Sequence, residues 1–356
     1  MATYPAHPAD VEALERCWSQ ALQQLKDRAR TATTLAPLAD TLTAFLVNTG
    51  KRFRPRLCLG AYRVFAEDAP PQPETNVVQA AVGLELFHSF ALIHDDLIDG
   101  SPTRRGQPSL HRRLSEALET SPQTGERLAL LAGDLLFGMA WEAIAQLAHP
   151  PASAYFARVA QDTGWGEAHE VINAAAPLST LSRDAIFDTY LQKTTRYSFE
   201  APLMLGAMAA GAGAPVAAVL RRMAEPLGLA FQAENDLHEI ERLLDGESRR
   251  SCDLNGGVKT IVLKEASLRL NAPERAELDA LLQNPATDAA MARVAALVDA
   301  SGAVTAIREM VDAQFEATRQ ALEDSAIEPA QRGALSALVQ FARENLRHSE
   351  SLTPVA

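Results

Sequence analysis

Asp95, Asp96 and Asp99 fall within one helical turn of the segment ELFHSFALIHDDLIDGSPTRRGQPSLHR (85–112), and Arg104, Arg105 and Gly106 follow on the next loop. Asp95 and Asp99 are four residues apart, so on a helix they share a face, where like charges repel. Burying such charges would cost far more. A divalent cation removes the conflict. Hard carboxylate oxygens suit magnesium, which keeps several waters and shares its coordination with substrate phosphates. A bare DDxxD is equally compatible with a solvated acidic helix end. Its neighbours shift the balance: apolar residues lead straight into the acids, and an arginine pair suits bidentate binding of phosphate.

A second cluster is Gly50-Lys51-Arg52-Phe53-Arg54-Pro55, cations gathered ahead of a proline. By itself it is either a phosphate clamp or a solvated basic turn. His88 lies seven residues before Asp95, two turns away on nearly the same face. Taken alone, it reads as a core histidine with a satisfied partner.

These residues need elements to position them. Turn signals recur at APPQPETN (69–76), TSPQTG (120–125), HPPAS (149–153), GAGAP (211–215) and NAPER (271–275). The intervals between such signals, roughly 15 to 30 residues, are too long for strands. Within them apolar residues recur at helical spacing, as in Val82, Leu86, Phe90, Ile93 and Leu97. Aromatic content is only 6% while alanine and leucine abound, which favours helix over sheet. The 356 residues are expected to form one all-α domain, 1–356, of about ten helices. Segments 77–99 and 129–148 are apolar around most of their circumference and are expected at the bundle centre.

Composition excludes several classes. A chain that is 47% hydrophobic and 22% charged is not disordered. The formal net charge of −12 disfavours a nucleic-acid or anionic-membrane partner. It says nothing against an anionic substrate, because the basic clusters at 51–56 and 104–113 are set apart from the acids. The apolar stretches are interrupted by charge, glycine or proline, so no transmembrane helix is expected. Cys17, Cys58 and Cys252 are far apart and odd in number, so no disulfide framework follows and a cytoplasmic location is expected.

With DDxxD followed by RRG, and with the GKRxRP element upstream, the sequence resembles the trans-isoprenyl diphosphate synthase (polyprenyl synthetase) family, most of all its short-chain geranylgeranyl diphosphate synthases. Leu131-Ala132-Gly133-Asp134-Leu135-Leu136 is similar to the family's AGD helix, in which the aspartate is structural. Tyr190 to Pro202, YLQKTTRYSFEAP, resembles a segment that contacts the allylic diphosphate. Phe231-Gln232 opens the second acidic helix, and Asp253 to Thr260, DLNGGVKT, looks like the DLxxGKxT loop. The motifs occupy about 45–265, with C-terminal helices over 266–356.

The resemblance implies a single large helical bundle of the isoprenoid synthase type with a central active-site cavity, and a homodimer. It assigns Lys51, Arg54, His88 and Arg105 to the diphosphate of isopentenyl diphosphate, and Arg104, Lys193, Thr194 and Lys259 to the allylic diphosphate. Magnesium is assigned to Asp95, Asp99, Asn235, Asp236 and Glu239, with Asp96 beside them. Gln232 and Thr194 orient the leaving group. The implied reaction is head-to-tail 1′-4 condensation, with Asp95, Asp96, Asp99, Lys193 and Asp236 as the catalytic set.

The pattern breaks in places. The second motif, usually FQxxDDxxD, reads Phe231-Gln232-Ala233-Glu234-Asn235-Asp236-Leu237-His238-Glu239. Asn235 can ligate through its carbonyl but without charge, so ion affinity should fall. Val258 stands at the usual lysine, with Lys259 next to it, and Glu167 and Glu170 stand where GQxxD is common. Three readings remain: a prenyl synthase with a weakened second metal site, a terpene cyclase of the same fold, or a non-catalytic subunit. Glu239 and Leu243 do not match the cyclase pattern, and the intact Asp95, Asp96 and Asp99 argue against the last.

Product length is expected to depend on the helix running away from Asp95. Phe90 and Phe87 lie five and eight residues upstream, about 7.5 and 12 Å along a helix axis. Both are equally compatible with core packing. In the family, an aromatic five residues before a short DDxxD marks C20 producers. Phe90, with the small Ala91 beside it, therefore points to geranylgeranyl diphosphate, and farnesyl diphosphate comes second.

Overall fold

A computed structural model describes residues 7–30, 32–47, 51–66, 74–104, 106–245, 257–283, 287–324 and 326–347. Arg105, Gly50 and Asp253 to Gly256 lie outside the described residues. The helices are α1 (Pro8–Ala29), α2 (Ala36–Val47), α3 (Phe53–Phe65), α4 (Thr75–Ile98), α5 (Leu110–Ala117), α6 (Pro122–Ala145) and α7 (Pro150–Ala175). They continue with α8 (Arg183–Tyr190), a π-helix (Leu191–Glu200), α9 (Ala201–Ala209), α10 (Ala214–Leu244) and α11 (Ile261–Arg269). The last are α12 (Ala272–Gln283), α13 (Asp288–Ser301), α14 (Ala303–Ala321) and α15 (Pro329–Arg347). The fold is all-α, as the periodicity predicts, apart from a two-residue antiparallel pair, β1 (Thr103–Arg104) with β2 (Gln107–Pro108).

The chain forms two compact units, each built from discontinuous stretches. The first comprises 1–157, 201–217 and 333–356. At its centre is α4, buried without interruption from Ala80 to Ser89 and packed against α1, α3 and α6. Gly100, in the left-handed region at φ 63°, ends this helix just after its C-cap residue Asp99, the backbone conformation glycine adopts most easily.

Two expectations need correction here. By length and composition, α4 and α6 are apolar enough to cross a membrane, with mean hydropathies of 1.4 and 1.6. Most of the apolar window of α4 lies inside the fold, whereas α6 is only 33% buried there. It exposes Leu130, Leu131 and Leu135, so α6 buries one face only, and the segment 129–148 is not wholly central. Helical circumference alone does not say how many sides a helix has covered.

The second unit comprises 158–200 and 218–332. Its least regular element is the π-helix, where wider turns accommodate an inserted residue. Thr195 Oγ1 donates to the Tyr190 carbonyl at 3.1 Å, across the widened turn. The segment is pinned on two sides. A Cβ at Gly166 would lie 2.6 Å from Lys193 Cα, and one at Gly228 would lie 2.6 Å from Thr195 Cβ, so both flanking helices approach through glycine.

Candidate active site

In the first unit, Asp95 and Asp96 occupy the last turn of α4 and Asp99 is its C-cap, with the Asp99 amide donating to the Asp95 carbonyl at 2.9 Å. They are not equivalent. Asp96 is fully buried, while Asp95 and Asp99 are half-buried. The short β1–β2 pair returns Arg104 onto them: Nη2 donates to Asp95 Oδ2 at 2.6 Å and Nε to Asp96 Oδ1 at 2.8 Å. Thus Arg104, expected to face an allylic diphosphate, bridges the two adjacent carboxylates.

Burial pushes the Asp96 carboxyl up to about 6, with Arg104 opposing. Burial also works against the Arg104 cation, but Asp95 and Asp96 outweigh it and hold it protonated. Asp96 Oδ2 is buried and makes no hydrogen bond among the described residues. Hard oxygens one turn apart, with a buried acceptor left over, fit a divalent cation.

The basic turn is anchored from within. Arg52 is the N-cap of α3 at φ 53°, an uncommon conformation for a non-glycine residue. Its guanidinium lies 4.2 Å from the Trp18 ring centroid and donates to buried Glu85 at 3.4 Å. Phe53 stacks on Phe341, with ring centroids 5.6 Å apart. Lys51 is exposed, Arg54 is buried, and His88 is buried at 6% exposure on α4.

Phe87 and Phe90 form an aromatic wall upstream of the acids. Phe90 lies 5.4 Å from Phe87, 5.0 Å from Phe137 and 4.6 Å from His94, centroid to centroid. Ala91 beside it is half-buried.

The second unit gathers another set. Lys193, within the π-helix, pairs with Glu167 at 3.0 Å and with Glu170. Thr194 Oγ1 donates to Gln232 Oε1 at 3.4 Å, and Gln232 Nε2 donates to Asp236 Oδ1 at 3.2 Å. Tyr190 donates its hydroxyl to Asp236 Oδ2. Asp236 and Glu239 are buried, while Asn235 is half-buried one position along. Lys259 is also buried, and burial lowers its pKa.

The polyprenyl synthetase family model matches residues 36–299. The chain belongs to the polyprenyl synthetase family. It is a trans-prenyltransferase, similar to nonaprenyl diphosphate synthase of Mycobacterium tuberculosis at 30% identity over 309 residues, covering 85% of each chain. It is likewise 30% identical to component 2 of heptaprenyl diphosphate synthase from Geobacillus stearothermophilus, over 74% of this chain and 75% of that one. Its fold matches geranylgeranyl pyrophosphate synthase from Corynebacterium glutamicum, a structure complexed with isoprenyl diphosphate and magnesium. That match has a TM-score of 0.83 at 22% identity and covers 96% of this chain and 99% of the other.

Sequence reasoning overlooked four residues that organise the enzyme's two sets: Arg52, His94, Phe137 and the side chain of Tyr190. Arg52 and Tyr190 both lie within the family-like segments 50–55 and 190–202. Their partners, Trp18, Glu85, Asp236 and Ile261, are not neighbours in sequence, so local spacing carried no signal for them.

Proposed function

We propose that the enzyme condenses isopentenyl diphosphate head to tail with an allylic diphosphate in the presence of magnesium, giving geranylgeranyl diphosphate, with farnesyl diphosphate as the second candidate. The observation that carries this reading is the acidic end of α4, where Asp95 and Asp96 share Arg104 and Asp96 keeps a buried oxygen with no hydrogen bond among the described residues. Asp95 and Asp99 would hold magnesium with Asp96 beside them, and Asn235, Asp236 and Glu239 of α10 are a second set that would hold magnesium. Bound there, the ion would neutralise charge on the allylic diphosphate.

The chain's own residues do the rest. Arg104 and Lys193, each already paired with carboxylates, are cations placed to exchange those partners for phosphate oxygens. Lys259, Thr194 and Gln232 add a further cation and polar groups. The allylic C1–O bond breaks with its electron pair leaving on diphosphate. C4 of isopentenyl diphosphate, held by Lys51, Arg54, His88 and Arg105, bonds to C1. The resulting C3 cation loses a C2 proton to the released diphosphate, leaving a new double bond. Apolar side chains such as Phe87 and Phe90 keep water from the cation.

The C20 assignment is supported by Phe90, braced by Phe87, Phe137 and His94. A second copy of the chain is proposed to cover the exposed leucines of α6, since an open apolar patch of this kind marks an interaction site. Sedimentation of the purified enzyme tests that.

The decisive experiment supplies isopentenyl diphosphate, each allylic primer and magnesium, and identifies the alcohols after dephosphorylation. Elongated alcohols, lost in Asp95→Ala at unchanged fold, support the synthase. Hydrocarbons formed without isopentenyl diphosphate would instead indicate a cyclase.

A further inference from the structure

We propose that Tyr190 is a positioning residue whose hydroxyl, shared between the Asp236 carboxylate of α10 and the first amide of α11, fixes where Asp236 and Lys259 stand relative to each other. This rests on the assignment of Asp236 and Lys259 to the allylic diphosphate and its metal.

Every contact involved lies within the second unit. Tyr190 is buried at 4% exposure and ends α8. Its hydroxyl donates to Asp236 Oδ2 and accepts from the Ile261 amide at 2.8 Å. Ile261 is the first residue of α11, and its amide is among those that lack an intrahelical acceptor. Thr260 caps the next part of the turn by accepting from the Leu263 amide at 3.3 Å. Tyr190 therefore supplies, from 71 residues away, a bond that a local cap would otherwise have to make.

The consequence reaches Lys259, which precedes the cap residue. Lys259 is 6% exposed, and the charge of Asp279 favours its protonated form against burial. A buried ammonium needs an anion in reach, and its direction depends on how the start of α11 is held. Asp236 depends on the same hydroxyl. One of its oxygens takes Tyr190 and the other takes Gln232, which in turn accepts from Thr194. Only a group that donates and accepts at one atom can satisfy both neighbours. Phenylalanine would keep the ring and lose both bonds.

The test is Tyr190→Phe, with Asp236→Asn and Lys259→Met as reference variants. Farnesyl diphosphate binding is measured by calorimetry with magnesium and no isopentenyl diphosphate, alongside the KM of each substrate. Tyr190→Phe should weaken farnesyl diphosphate binding about tenfold, equivalent to one hydrogen bond of ordinary net strength. Its KM for isopentenyl diphosphate should stay within twofold, and in an Asp236→Asn background it should add less than it does alone. Unchanged binding in Tyr190→Phe, with both reference variants weakened, overturns the inference. Normal binding in all three overturns the assignment of Asp236 and Lys259 as well. If Tyr190→Phe does not fold, hydrogen exchange in the unmodified enzyme decides: the Ile261 amide should be protected, and exchange at the rate of an open helix terminus overturns the bridge.

Discussion

The His94 ring on α4 occupies the space that a Cβ on Gly133 of α6 would fill. The ring is held there by a hydrogen bond between Nε2 and the Leu130 carbonyl at 3.2 Å, and Asp134 lies 3.7 Å from the same nitrogen. A carbonyl can only accept, so Nε2 carries a proton. This gives the glycine of the AGD segment a physical role: it is the notch that admits the imidazole preceding Asp95.

Gly133→Ala should displace His94 and with it the last turn of α4. The expected loss of stability is about 1–3 kcal/mol, as for overpacked cores, together with a higher magnesium concentration for half-maximal activity. Gly138→Ala is the control, since nothing lies within 4 Å of a Cβ at that position. Urea titration and a magnesium titration check both variants, and a silent Gly133→Ala would remove the notch.

Arg52 joins a left-handed backbone to two buried partners, Trp18 and Glu85. Arg52→Met should destabilise the enzyme by about 3 kcal/mol, because breaking one side of a buried pair leaves a charge without its partner. Adding Glu85→Gln should return part of that loss. The KM for isopentenyl diphosphate should rise, since Lys51 and Arg54 flank the anchored residue. A change in stability without a change in KM would confine Arg52 to folding.

Phe90→Ala opens the aromatic wall between Phe87 and Phe137. Products longer than those of the unmodified enzyme are expected by chromatography of the alcohols, and Phe137→Ala should act in the same direction. An unchanged distribution in both would move the chain-length determinant elsewhere.

His111 is buried at 4% exposure at the start of α5. Burial, then Arg112, lower its pKa from 6.5, with Glu126 opposing. The unfolded chain therefore takes up the proton more readily. Stability owed to the neutral imidazole is fully present above pH 6.5 and is lost as pH falls through the lower folded value. Thermal unfolding should show Tm declining below that pH, with a shallower decline in His111→Gln.

Much of the fold was legible along the chain. The spacing of Val82, Leu86, Phe90 and Ile93 identified α4, and helix formers between turn signals identified most of the rest. The motif set was legible too, because residues that share a helix face keep a fixed separation. The π-helix was not foreseen. It depends on Gly166 and Gly228 admitting two other helices to Lys193 and Thr195, and nothing within 191–200 records that approach.

The amino-acid sequence by itself determined the all-α class, which follows from residue type and short-range periodicity, and the order of the motifs, whose resemblance to the family implied its chemistry. Tertiary structure alone decided which equivalent-looking groups became different. Asp96 is sealed against Arg104 while Asp95 and Asp99 stay partly open, Arg52 turns inward while Lys51 is exposed, and Asp236 is bound to a tyrosine 46 residues away. Burial and long-range hydrogen bonds set charge and direction in a low-dielectric interior. Those quantities depend on neighbours that come together only when the chain has folded.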